Sequence, residues 1–112
     1  MSMYASYVRE RLGDEILEWD EGFLTYRYIR DMGDLTVYIV DMYVRPDFRK
    51  TRIASTMADE VVEKAKAKGC KRLLGSVASD AKNPTESIKV LLGYGMDFYK
   101  CNEHGMFFKK EI

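Results

Sequence analysis

Little in this chain carries redox, metal or nucleophilic chemistry. Its 112 residues include two cysteines, one histidine, one tryptophan and two prolines. Cys70 and Cys101 stand too far apart for a disulfide framework or a metal-ligand spacing, so reduced thiols in a cytoplasmic protein are expected. His104 falls within Asn-Glu-His-Gly, a turn sequence where a surface position is expected rather than a base or a ligand. No apolar run exceeds a few residues, so nothing reads as spanning a bilayer. The N-terminal MSMYASYVRERLGDE turns polar too early for a secretory signal. Net charge is missing too: 18 basic residues balance 18 acidic ones. A chain without an overall field has no general pull on nucleic acid or an anionic membrane, so neither is expected as a partner. With 46% apolar and 32% charged residues, the composition is that of an ordinary globular protein, and one domain over residues 1–112 is expected.

The pattern along the chain changes period twice. Residues 3–12 place Met3 or Tyr4, Tyr7, Val8 and Leu12 on one helical stripe that Gly13 stops. The next thirty residues are rich in β-branched and aromatic side chains. Turn signals at Asp20-Glu21-Gly22 and Met32-Gly33-Asp34 divide them into antiparallel strands over about 15–19, 23–30 and 35–44. Tyr38-Ile39-Val40 has the continuous apolar character of a strand covered on both faces. After Pro46, the stripe Ile53, Met57, Val61, Ala65 predicts a helix over about 52–68, with acidic residues ahead of basic ones as the helix dipole favours. CKRLLGSV follows as a strand reached by a parallel crossover. KNPTESIKVLLGYG predicts a helix in which Ile88, Leu91 and Leu92 pack, and MDFYKC and GMFFKKEI predict a closing hairpin. The fold class is therefore α/β, with a mixed, mostly antiparallel central sheet and flanking helices.

One place departs from the even charge balance. Arg45, Arg49, Lys50 and Arg52 crowd the junction where the strand ending at Val44 gives way to the long helix. A helix N-terminus offers N–H groups with no acceptor inside the helix and a partial positive charge, which together hold phosphate. A solvated basic turn is the alternative reading of the same residues.

Residues 38–73, YIVDMYVRPDFRKTRIASTMADEVVEKAKAKGCKRL, resemble the central motif of the GNAT superfamily, the acyl-CoA-dependent N-acyltransferases. The family's (Gln/Arg)-x-x-Gly-x-(Gly/Ala) loop corresponds to Arg49-Lys50-Thr51-Arg52-Ile53-Ala54. Arg49 and Ala54 match, and Arg52 stands where the family carries its first glycine. The segment from Asn83 to Met96 resembles the family's Asn-containing helix, with Asn83 and Gly95 matching. The resemblance spans about residues 15–112, and it implies a front half shortened to one helix; a second subunit, in a homodimer, is then expected either to complete the acceptor site or to cover exposed sheet.

The resemblance further implies a GNAT-like fold and transfer of an acetyl group from acetyl-CoA to an amine of a small molecule or protein. Coenzyme A would be held by the backbone around Met42 and Val44, by the loop Arg49, Lys50, Thr51, Arg52, Ile53 and Ala54, and by Asn83. For the chemistry, Asp41 is the carboxylate nearest the family's base position, the other reading being a solvent-facing strand residue. The family's acid position falls on Leu91, which has no proton to give; Tyr94 and Tyr43 are the candidates, packing against the sheet being the other reading of each, and solvent is a third source of the proton. Glu18, Asp20 and Glu21 would attract a cationic acceptor. Trp19, Phe23, Tyr26 and Tyr28 are core or acceptor-pocket aromatics, and Cys101 is expected to be a buried inert thiol. A degenerate relative that binds coenzyme A or a protein partner without catalysis is the alternative function.

Overall fold

The computed structural model describes residues 2–112. Helix α1 (Met3–Tyr7) runs on as a π-helical turn, Val8–Leu12, to a left-handed Gly13. Strands β1 (Glu15–Glu18), β2 (Gly22–Asp31) and β3 (Asp34–Val44) follow, then a 3-10 turn at Pro46–Phe48. Helix α2 (Ile53–Ala67), β4 (Arg72–Ala78), α3 (Pro84–Gly93), β5 (Asp97–Asn102) and β6 (Gly105–Glu111) complete the order. Six strands form one sheet in the order β1-β2-β3-β4-β6-β5. Only β3 and β4, joined by the α2 crossover, run parallel. No helix among the described residues is long and apolar enough to cross a membrane.

The stripe read from the sequence of α2 is the one that is buried: Met57, Val61 and Ala65 are fully covered and Ala58 nearly so. They meet Leu24, Tyr26, Val37, Leu73 and Phe108 from the sheet. Each fully buried Val, Leu, Met or Phe contributes about 1.5–3 kcal/mol, so this face holds α2 to the sheet. On the other face α1 buries Ala5 and Val8 against Ile16, with Phe23 beside them. The expected α1 stripe is thus corrected: Met3, Tyr7 and Leu12 stand exposed, because burial follows the i, i+3 pair Ala5–Val8. Below α1, buried Asp14 accepts two hydrogen bonds from Arg27, at 2.6 and 3.1 Å, which pins the turn after Gly13 to β2.

Two more expectations fail in an instructive way. The doubly covered stretch of β3 is Thr36–Val37, not Tyr38–Val40, and Val40 is exposed. The cause is a bulge: Thr25 faces Asp41 and Tyr26 faces Ile39, so Val40 is an extra residue in β3. Leu92 is likewise exposed, and α3 has no fully buried side chain. Ile88 and Leu91 pack only partly against the core, because α3 borders an opening in the sheet.

Candidate functional site

The opening lies between β3 and β4. Their ladder pairs only Thr36 with Arg72, Val37 with Leu73 and Tyr38 with Leu74. Beyond the bulge the strands part, and a cavity of about 760 Å³ fills the gap. That volume suits a small-molecule or cofactor site. At its apex the hydroxyls of Tyr38 and Ser76 share a hydrogen bond of 2.7 Å across the two strands. The cavity walls come from β3, from the loop and first turn of α2, and from α3.

The basic junction forms the mouth. Arg52 is the N-cap of α2 with φ 69° and ψ 9°, and Lys50 also has a positive φ of 66°. Both hold the left-handed backbone that glycine adopts without strain. Arg52 therefore holds a backbone geometry that a glycine would take without strain, at a cost of about 1–2 kcal/mol. The first bond of the α2 register runs from Thr56 N–H to Arg52 C=O, 3.0 Å. The N–H groups of Ile53, Ala54 and Ser55 thus have no acceptor within the helix, and all three residues line the cavity. Arg49 Nε donates to Val44 C=O at 3.0 Å, fixing the loop to the end of β3. Among the described residues, Lys50 and Arg52 make no ion pair with a carboxylate.

Most residues expected to act together are brought together. Asp41, Met42, Val44, Arg49, Lys50, Arg52, Ile53, Ala54 and Tyr94 all line the cavity. Thr51 and Asn83 do not. Thr51 turns its hydroxyl back to Phe48 C=O, and Asn83 caps α3 with no side-chain hydrogen bond to the helix. Asp41 is exposed, and one of its oxygens accepts the N–H of Met42 at 2.9 Å. That amide reaches a ligand only when Asp41 releases it. Tyr94 donates its hydroxyl to Asp59 on α2 at 2.6 Å. Burial, the bond to Asp59 and the nearby negative charge of Asp59 and Glu63 together push its phenol far above the usual tyrosine range.

Other residues fall elsewhere. Cys101 is exposed on the edge strand β5, not buried; Cys70 is the buried thiol. His104 is exposed in the β5–β6 turn as expected. Tyr26 belongs to the core, and Trp19 and Tyr28 pack partly against it. Phe23 alone of the four aromatics lies on the α1 side of the sheet. Sequence reasoning missed the Tyr38–Ser76 pair, which no local motif announces because it exists only across the parted strands. It also missed Ser55, Glu86 and Lys89 on the cavity wall.

A family model described as "Acetyltransferase (GNAT) family" matches residues 14–90. The chain belongs to the GNAT acetyltransferase family. The match takes in the first four strands, β1 to β4, together with α2 and most of α3. Solved GNAT structures share the fold. The PaiA N-acetyltransferase from Thermoplasma acidophilum, in complex with coenzyme A, is 17% identical with a TM-score of 0.72, over 94% of this chain and 66% of that one. An acetyltransferase from Bacillus subtilis, in complex with CoA, is 16% identical with a TM-score of 0.68, over 96% and 83%. A chain of the NatC complex bound to Gag peptide and CoA is 17% identical with a TM-score of 0.62, over 80% and 58%. This GNAT chain thus spans 58% to 83% of the length of those three structures. No curated sequence matches it.

Proposed function

We propose that this GNAT protein transfers an acetyl group from acetyl-CoA to an amine, with the whole chain acting as one domain in a reducing, cytoplasmic setting. The observation that carries the proposal is the mouth of the cavity. Free helix N–H groups, two left-handed loop residues and two cations without carboxylate partners converge where the strands part. Such a concavity holds a pyrophosphate through backbone amides and charge. The pantetheine arm then runs into the gap between β3 and β4, where β3 beyond its bulge has no strand partner on the β4 side.

The thioester comes to rest beside Asp41. The incoming amine loses a proton to Asp41, directly or through water, and its nitrogen bonds to the carbonyl carbon. The C–S bond then breaks and the departing thiolate takes up a proton. The Met42 N–H, once Asp41 turns to the amine, is a donor available to the carbonyl oxygen. Tyr94 protonates the sulfur only if its hydroxyl turns away from Asp59. A second copy of the chain completing the acceptor wall is part of this proposal, and sedimentation reads it.

Calorimetric titration with acetyl-CoA and coenzyme A tests the cofactor site, and thiol release over an amine panel tests the transfer. Micromolar binding with thiol release supports the proposal. Binding without release on any amine leaves a coenzyme A binder without catalysis, a reading favoured by the commitment of Tyr94 to Asp59. No binding at millimolar ligand overturns both.

A further inference from the structure

The sheet face turned toward α1 carries a row of side chains that the core does not use. Cross-strand partners point to one face, and Glu18 on β1 pairs with Phe23 on β2, which pairs with Tyr43 on β3. One step along, Thr25 pairs with Asp41. Glu18, Phe23, Tyr43 and Asp41 therefore share the face on which α1 lies, and Tyr4 of α1 closes over Phe23 at 5.1 Å between ring centroids. Phe23 and Tyr43 stack at 5.8 Å and 30°. Tyr4 and Tyr43 remain 40% and 43% exposed, so the two outer rings of the row are open to solvent while Phe23 is partly covered between them. Among the described residues, neither Glu18 nor Asp41 forms an ion pair. Burial raises the Tyr4 phenol above its usual range, and the negative charges of Asp41 and Glu18 raise it further, so both carboxylates act on this one spot. The guanidinium of Arg49 lies 5.8 Å from the Tyr43 centroid, so that ring already carries a cation of the chain and the Tyr4 ring is the one left for a ligand's ammonium.

Asp41 links this row to the cavity that it also lines. We infer that the acceptor is a small dication, an aliphatic diamine, whose reacting amine sits at Asp41 while its carbon chain crosses the Tyr4–Phe23–Tyr43 row and its second ammonium pairs with Glu18. The inference rests on the acetyl-transfer reading above. Glu18 and Asp41 stand two strand spacings and two residues apart, ~12 Å at backbone level, a span that a glutamate side chain and a three- to five-carbon diamine cover together. An aromatic floor between two carboxylates desolvates the methylenes and gives the ammonium cation–π contact. An acceptor carrying its own carboxylate meets like charge at both ends.

The test has two arms on the full chain. In the first, butane-1,4-diamine is titrated calorimetrically into protein saturated with coenzyme A. Binding is expected, weakened roughly tenfold by Glu18→Gln and by Phe23→Leu. In the second, thiol release from acetyl-CoA compares kcat/KM for butane-1,4-diamine and butylamine. The diamine is expected to be favoured at least tenfold, and Glu18→Gln to bring that preference close to one. Circular dichroism and acetyl-CoA affinity confirm that each variant is folded. No diamine binding to a coenzyme A-saturated protein overturns the inference, as does equal use of the two amines or an unchanged preference in Glu18→Gln. Each of those results leaves acetyl-CoA binding, and with it the proposed cofactor site, standing. Failure to bind acetyl-CoA strikes the proposed function itself.

Discussion

The two ends of the β3–β4 boundary are built on opposite principles. At one end the strands are zipped and Arg72 is nearly enclosed, with 11% of its side chain exposed. Its guanidinium meets Asp31 at 3.1 Å, Glu111 at 3.2 Å and Asp34 at 3.7 Å, and Tyr99 donates to Asp31 from β5. Charge there is consumed inside the fold. At the other end the strands have parted, and Arg49, Lys50 and Arg52 stand exposed around free helix N–H groups. Charge there meets no carboxylate of the chain among the described residues. One boundary thus pairs its cation with carboxylates at one end and leaves its cations without them at the other, which is the contrast the proposed binding site rests on.

The largest effect is expected at the zipped end. Replacing Arg72 by Met leaves Asp31, Asp34 and Glu111 clustered without their cation, and breaking such a buried pair costs about 3 kcal/mol. Urea unfolding measures it, and acetyl-CoA affinity of the folded variant is expected to stay within twofold of the parent. A large loss of affinity would mean that the two ends are coupled. Next comes the open end. Arg49→Ala is expected to weaken coenzyme A binding by roughly 1–3 kcal/mol, as for a lost charge-assisted contact, with unfolding free energy changed by less than about 1 kcal/mol. Unchanged affinity would mean that the backbone amides alone hold the pyrophosphate.

The same contrast explains what was legible in the sequence. The stripe Met57, Val61, Ala65 and the run of β-branched residues in β2 and β3 report burial, and burial follows local period. The basic loop was legible because its partners are backbone groups of the same segment. What escaped depends on contacts between distant segments. The bulge that ejects Val40 arises from the register of β3 against β2. The Tyr38–Ser76 bond joins residues 38 apart. The tie from Tyr94 to Asp59 crosses 35 residues and turns a candidate proton donor into a link between α3 and α2. Cys101 was misplaced because an edge strand such as β5 carries the same apolar spelling as an inner one. Thr51 and Asn83 lie on the matched motif yet off the cavity, since a motif records spacing and not the direction of a side chain.

Tyr94→Phe tests whether that tie belongs to the fold or to the chemistry. Loss of one hydrogen bond to a carboxylate is expected to destabilise by about 1–2 kcal/mol. If the tyrosine only links the helices, kcat stays within threefold of the parent. If it protonates the thiolate, kcat falls by 10²-fold or more, the usual scale of a lost acid, and the proton source is then Tyr94 after release from Asp59.

The smallest effect is the most diagnostic, because it separates strain from binding at a single residue. Arg52 holds a left-handed backbone that costs an arginine about 1–2 kcal/mol and a glycine nothing. Glycine returns part of that gain through the freedom of its unfolded chain, about 0.5–1 kcal/mol. Arg52→Gly is therefore expected to stabilise the fold by ~0.5 kcal/mol, read as a small upward shift of the urea midpoint with an unchanged slope. The same substitution removes a cation from the mouth of the cavity, so acetyl-CoA affinity is expected to fall while stability rises. Opposite signs in the two measurements show that the arginine is kept for the ligand in spite of the backbone it must adopt. If affinity instead rises with stability, the side chain crowds the amides, and the cations at this end act against the phosphate they surround.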